Sequence, residues 1–192
     1  ASRVAYFGRF NSLAQTLIKL TAPGVPDIYQ GCELWDLSLV DPDNRRPVDY
    51  ELRRRLLAEL QRRCAEGDLA ALATELLERA EDGRVKLFVT HRALALRRER
   101  PALFAAGAYL PLAPEGERAA HAVAFARAAG ADELVTVVPR LSLTLAGGEQ
   151  RPPTGELWGD TWLPLPHAAP GARYEDRLTG AALGAAARDG GA

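Results

Sequence analysis

The chain has 192 residues, 24 lysines and arginines against 25 acidic residues, and 47% hydrophobic side chains, the composition of an ordinary globular protein able to bury a core. A net charge of -1, with both signs interspersed, excludes the concentrated basic surface that nucleic acid requires. No apolar run reaches the roughly 18 to 20 residues of a membrane span, and Ala1-Ser2-Arg3 opens no signal-peptide h-region.

Two composition features add to this. Cys32 and Cys64 form no CxxC pair and read as free thiols of a cytoplasmic chain. The chain has no Met, so it is expected to be processed or excised, and Lys19 and Lys86 are its lysines among many arginines. With much Ala, Gly and Pro, this fits the codon bias of a GC-rich genome. Selection for bidentate pairing with carboxylates is the alternative.

From Arg3 to Leu20, Val4, Phe7, Phe10, Leu13, Leu17 and Leu20 recur every three or four residues and predict an amphipathic helix. Thr21-Ala22-Pro23-Gly24 breaks it. Val25 to Gly31 then reads as a short buried strand closed by glycine, and helix followed by strand is an α/β signature. Leu34 to Asp49 has no period and reads as a long polar, functional loop. Tyr50 to Cys64 carries Leu52, Leu56, Leu60 and Cys64 at i+4 spacing, with Glu51–Arg55 and Glu59–Arg63 as pairs on the wet side. Asp68 caps a third helix holding Leu69, Leu72 and Leu76, and a fourth runs from about Val85 to Arg98 before Pro101.

Beyond Pro101 the period shortens. Tyr109 to Leu112, His121 to Arg127, Leu134 to Val138, Ser142 to Leu145, Glu156 to Trp158, Trp162-Leu163 and Tyr174 to Leu178 read as short strands at hairpin spacing. They predict an antiparallel sheet or sandwich. The Ala- and Gly-rich tail after Gly180 is expected to fray.

The densest polar constellation is Asp27, Tyr29, Gln30 and Glu33, followed by Asp41, Asp43, Asn44, Arg45 and Arg46. Carboxylates, amides and guanidinium groups at the C-terminal end of a strand suit sugar hydroxyls, and in a barrel that end holds the active site. The structural alternative is that Asp43 and Asn44 make a turn while Arg45 and Arg46 pair with Asp36 or Asp41 to pin the loop.

The run Pro23-Gly24-Val25-Pro26-Asp27-Ile28-Tyr29-Gln30-Gly31, followed by Glu33 to Tyr50 (ELWDLSLVDPDNRRPVDY), resembles the maltooligosyl trehalose synthase family of the α-amylase superfamily. Asn11 to Leu17 and Leu96 to Pro101 look like that family too, so the resemblance covers roughly the first half closely and the β-rich remainder more loosely. It implies a (β/α)8-barrel enzyme that moves the reducing-end glucose of an α-1,4-glucan into an α,α-1,1 bond by intramolecular transglycosylation. That chemistry needs a carboxylate nucleophile and a carboxylic acid flanking the bond, with water excluded. In the family these groups sit on strands four, five and seven, whereas this chain resembles the part that begins after strand seven.

The resemblance therefore implies an α+β chain. Residues 1–66 correspond to the last helix, strand and helix of the barrel, 67–101 to a helical connection, and 102–192 to an antiparallel β-sandwich-like C-terminal domain. No residue matches the catalytic motifs, and the first hundred residues cannot hold a barrel of about 250. Asp27, Tyr29, Gln30, Glu33, Trp35, Asp41, Asp43, Asn44, Arg45 and Arg46 are carried over as substrate-lining positions. The implied partners are a maltooligosaccharide or α-1,4-glucan and the missing N-terminal barrel. Self-association of the chain is also expected, because an outer-ring helix without its neighbours exposes an apolar patch. Another glucan hydrolase or transglycosylase of the superfamily, or a non-catalytic carbohydrate-binding module, are the alternatives.

Other signals are weaker. His91, His121 and His167 fit no metal spacing, and neither Gly147-Gly148 nor Gly190-Gly191 makes a nucleotide loop, so no metal or cofactor is expected. Arg92, Arg97, Arg98 and Arg100 read as a solvated face with local salt bridges. Trp158 and Trp162, flanking Gly159-Asp160, read as packing of the β region, with a secondary sugar surface as the alternative.

Overall fold

The computed structural model describes residues 2–169 and 171–186. Helix α1, Ser2–Thr21, turns Phe7, Phe10, Ala14 and Leu20 inward, the stripe its three-and-four spacing dictates. Helix α2, Tyr50–Glu66, starts on Asp49, whose carboxylate accepts the Leu52 amide at 2.8 Å, and stops at Gly67 with φ 97°. Asp68 caps α3, Leu69–Glu78, through the Ala71 amide at 2.9 Å. Helix α4, Arg84–Glu99, lies across α1, α2 and α3.

One leucine-rich cluster joins these helices: Leu60 of α2, Leu72 and Leu76 of α3, and Val85, Leu87 and Phe88 of α4, with Leu34 beside them. Each such side chain contributes about 1.5–3 kcal/mol when fully buried, which offsets the ordering of three short helices. The expected i,i+4 pairs give way to one i,i+3 pair and two contacts between helices. Glu51 meets Arg54 within α2, whereas Glu59 meets Arg84 of α4 and Arg63 meets Glu75 of α3, because packing brings those two partners alongside.

Pro101 begins another helix, α5, Pro101–Ala106, at a position where its missing N–H is not needed. Strands β1, Ala108–Leu112, β2, Ala122–Ala129, and β3, Asp132–Pro139, form an antiparallel sheet in the order β1-β2-β3. Ala129 faces Asp132 across a two-residue turn in which Gly130 takes φ 61°. α1 lies against β3 and α5 against β2, so the helical half and the sheet share one junction.

Several expected strands are not strands. Ser142–Leu145 is a short helix, α6, since four residues are too few for a period to separate helix from strand. Gly155–Trp158 is a 3-10 turn, and Trp162 makes a single bridge to Glu115. Of Tyr174 to Leu178, Tyr174 and Glu175 are paired, in β4, Arg173–Glu175, against β5, Ala182–Gly184. Among the described residues the architecture is thus α+β with sheets of three and two strands rather than a sandwich. β5 occupies part of the tail expected to fray, and residues 187–192 lie outside the described ones.

The expected buried strand from Val25 to Gly31 does not form either. Residues 25–29 are unpaired, and Val25 is 96% exposed. A strand is made by its neighbours' hydrogen bonds, and no described segment lies alongside to supply them.

Candidate functional site

The sequence-predicted residues fall into three arrangements rather than one. The first is the turn after the unpaired segment, clamped by Arg53 of α2. Its Nε donates to Glu33 Oε2 at 3.0 Å, Nη2 to the Gly31 carbonyl at 2.7 Å and Nη1 to the Asp49 carbonyl at 3.1 Å. Buried Gly31 takes φ 91°, which lets the turn close beneath Val48. The Tyr50 hydroxyl donates to Gln30 Oε1 at 3.4 Å, while Asp27 and Tyr29 are exposed and the Tyr29 carbonyl accepts the Cys32 amide at 3.0 Å.

The second is Trp35. Its indole Nε1 donates to the Ala80 carbonyl at 2.6 Å, and the ring packs against the leucine cluster. Lys86 Nζ lies 5.7 Å from the ring centroid and donates to the Leu34 carbonyl at 3.3 Å. Burial pulls the Lys86 ammonium pKa below the usual lysine value and pushes the nearby Cys32 thiol up. Trp35 thus anchors the start of the loop to the core.

The third is the loop itself. Asp36 accepts Ser38 Oγ at 2.6 Å and the Ser38 amide at 2.9 Å, which hold its carboxyl below the ordinary aspartate range. Asp43, on a 3-10 turn at Asp43–Arg45, accepts the Leu39 amide at 2.8 Å and pairs with Arg46, and these lower its pKa in that order. Arg45 pairs with Asp41, Nη2 to Oδ2 at 3.0 Å. The pinning alternative thus describes Arg45 and Asp41, whereas Arg46 takes Asp43 rather than Asp36 or Asp41. Asn44 Oδ1 is buried and meets no donor among the described residues.

Glu33 also borders an open groove of about 500 Å³ between α2 and α4, whose walls include Ile28, Leu57, His91, Leu94 and Arg98. Burial, then Arg92 and Arg98, keep His91 below the usual histidine pKa. Neither Arg53 nor this groove was legible beforehand, because each joins segments twenty or more residues apart without a repeating pattern. Arg97, read as part of a solvated face, instead donates to the Leu20 carbonyl at 2.9 Å and the Gly24 carbonyl at 3.0 Å. Among the described residues no group of three or more His, Cys, Asp or Glu could hold a metal ion, and no helix is long and apolar enough to cross a membrane.

No family model matches the chain. A protein from two strains of Mycobacterium tuberculosis, assigned as maltooligosyl trehalose synthase, is 42% identical over 170 residues, which is 88% of this chain. Over that stretch the chain is similar to the maltooligosyl trehalose synthases. It spans 17% of the length of those curated relatives. The maltooligosyltrehalose synthase from Arthrobacter ramosus superposes with a TM-score of 0.64 at 37% identity, and a mutant of it with 0.69, covering 95% of this chain and 20% of theirs. A further maltooligosyl trehalose synthase crystal structure gives 0.65 at 26% identity, over 21% of its chain. Sequence and fold thus agree on a region of these synthases.

Proposed function

We propose that this chain is the C-terminal portion of a maltooligosyl trehalose synthase, which converts the reducing-end α-1,4-linked glucose of a maltooligosaccharide into an α,α-1,1-linked end. The observation that carries the reading is the extended, unpaired segment at residues 25–29. It holds a strand-like sequence with an exposed Val25, within a chain akin to about a fifth of such enzymes. In the whole enzyme this segment closes the (β/α)8 barrel, with α1 and α2 in its outer ring. Residues 67–101 connect it to the C-terminal β region.

Asp27, Tyr29 and Gln30 then sit at the sugar-facing end of the last strand, and the loop bearing Asp41, Asp43, Asn44, Arg45 and Arg46 shapes the pocket around the reducing-end glucose. The nucleophile and the acid belong to upstream strands. Glu33 fits a supporting role, since its carboxylate is engaged by Arg53. Leu37, Leu39 and Val40, 76–92% exposed, supply apolar surface for the rest of the barrel, and for self-association when the chain stands apart.

The test compares this chain with a polypeptide extended upstream to the length of the relatives, each incubated with maltopentaose. Reducing ends and product mass are followed. The extended protein is expected to consume reducing ends at unchanged mass, and the present chain to do nothing. Isomer formed by the present chain would place the catalytic carboxylates within it. Products that gain water would make the enzyme a hydrolase.

A further inference from the structure

We propose a second carbohydrate site, separate from the loop region, on the three-stranded sheet: a groove of about 180 Å³ floored by Ala122 and Val137 and walled by Trp158, Trp162 and Leu163, taking one end of an α-glucan. The groove approximates one pyranose ring in size. Indole faces cover the apolar C–H face of a sugar, while the hydroxyls around its edge need planar polar partners. The tryptophans belong to the lining itself, and Glu117 and Arg118 adjoin it through Asp160 and Thr161.

The walls are fixed before any ligand arrives. Trp158 Nε1 donates to the Pro153 carbonyl at 3.0 Å, and Trp162 exchanges both backbone hydrogen bonds with Glu115 at 2.9 Å. The loop after β1 presses backbone to backbone on the tryptophan loop at Gly116, φ 98°. A Cβ there would lie 2.9 Å from the Asp160 carbonyl oxygen and from Thr161 Cα, so glycine is required. Asp160 Oδ1 accepts the Glu117 amide at 2.9 Å, and Thr161 Oγ1 accepts the Arg118 amide at 2.9 Å, which leaves that hydroxyl's proton to donate. Next to this loop, Arg118 Nη2 pairs with Glu117 Oε1 at 2.8 Å, and Glu117 Oε2 lies near Gly159, between the two tryptophans in sequence. Two aromatic walls held rigid beside a carboxylate and a guanidinium cost little ordering on binding, which favours a weak but defined site.

The choice of an α-linked glucan rests on the synthase reading, whereas the sugar chemistry rests on the groove. A site here would hold the distal part of a chain whose reducing end is being processed elsewhere, which raises the local concentration of substrate.

The experiment follows the three indole N–H resonances of this 192-residue chain while maltopentaose or cellopentaose is added. Saturable shifts at Trp158 and Trp162 with maltopentaose, Kd on the order of 1 mM, are expected. Trp35, bonded to Ala80 in the core, should stay still. Val137→Arg fills the floor from a half-exposed position and should weaken binding about tenfold with the spectrum otherwise intact. No shift at Trp158 and Trp162, or an unchanged Kd in Val137→Arg, overturns the site. Equal binding of cellopentaose overturns its α-glucan assignment. None of these outcomes bears on the synthase reading, which stands or falls on the extended polypeptide's products.

Discussion

At the junction of α1, α5 and the three-stranded sheet, Arg127 is 2% exposed and donates to five carbonyl oxygens, those of Thr21, Leu103, Phe104, Gly107 and Ala108, at 2.9–3.4 Å. In the loop before α2, Arg45 and Arg46 lie open to water against Asp41 and Asp43. Both regions set guanidinium groups on oxygens, yet among the described residues the buried cation has no carboxylate paired with it. Its compensation is the negative end of two helices, since Thr21 closes α1 and the other helical carbonyls close α5. Arg97 adds to the same knot through Leu20 and Gly24, its guanidinium 4.6 Å from the Phe104 ring. The difference is one of solvent: water can replace an arginine in the loop but is kept from the buried carbonyls of Thr21, Leu103 and Phe104.

The sharpest way to break that contrast is Arg127→Met. It leaves several dry carbonyls without donors and should cost about 4 kcal/mol, read as a lower urea midpoint. Arg127→Lys should recover little of the loss, since a single ammonium cannot span five acceptors. A cost below about 1 kcal/mol would mean that water enters the junction and that the two regions are alike.

How far the sequence alone reaches follows the same division. The periods of α1 to α4 and the cap at Asp68 were legible because an amphipathic helix writes its burial into spacing. The run Ser142–Leu145 was not, because leucines alternate there over too short a stretch. Arg127 sits mid-strand, where a charged residue reads as solvent-facing. Its burial depends on three backbone segments converging, which no local pattern records. Val25 to Gly31 shows the reverse: its strand character is written in the sequence, but its hydrogen-bond partners are not among the described segments. Of the candidate site, the Arg45–Asp41 pair was one of the pinning alternatives, with Asp36 as the other acceptor. The clamp from Arg53 onto Glu33 and Gly31 spans about twenty residues and left no local trace.

That clamp lies between the two extremes. Arg53 and Glu33 are mostly, not fully, covered, with side chains 17% and 27% exposed. Arg53→Ala should therefore cost about 1–2 kcal/mol, less than the junction and more than the loop. It should also speed exchange of the Cys32 amide, which bonds to the Tyr29 carbonyl at 3.0 Å. Unchanged exchange there would show that Val48, packed over Gly31, holds the turn without help.

The smallest effects belong to the loop. Arg45→Ala should shift stability by no more than about 0.5 kcal/mol, and added salt should erase even that. Asp36 and Asp43 behave differently, because backbone amides as well as side chains hold their carboxylates. Both pKa values are lowered in the folded chain, so their contribution is present above the ordinary aspartate value and is lost as pH falls through the lowered one. Below about pH 4 the Ser38 and Leu39 amides should lose hydrogen-exchange protection while Leu72 and Leu76 in the core keep theirs. Amide bonds that survived acid while the Arg46 pair dissolved would place the loop's rigidity in its backbone. Simultaneous loss of loop and core protection would mean that this loop, for all its exposure, is part of the cooperative fold.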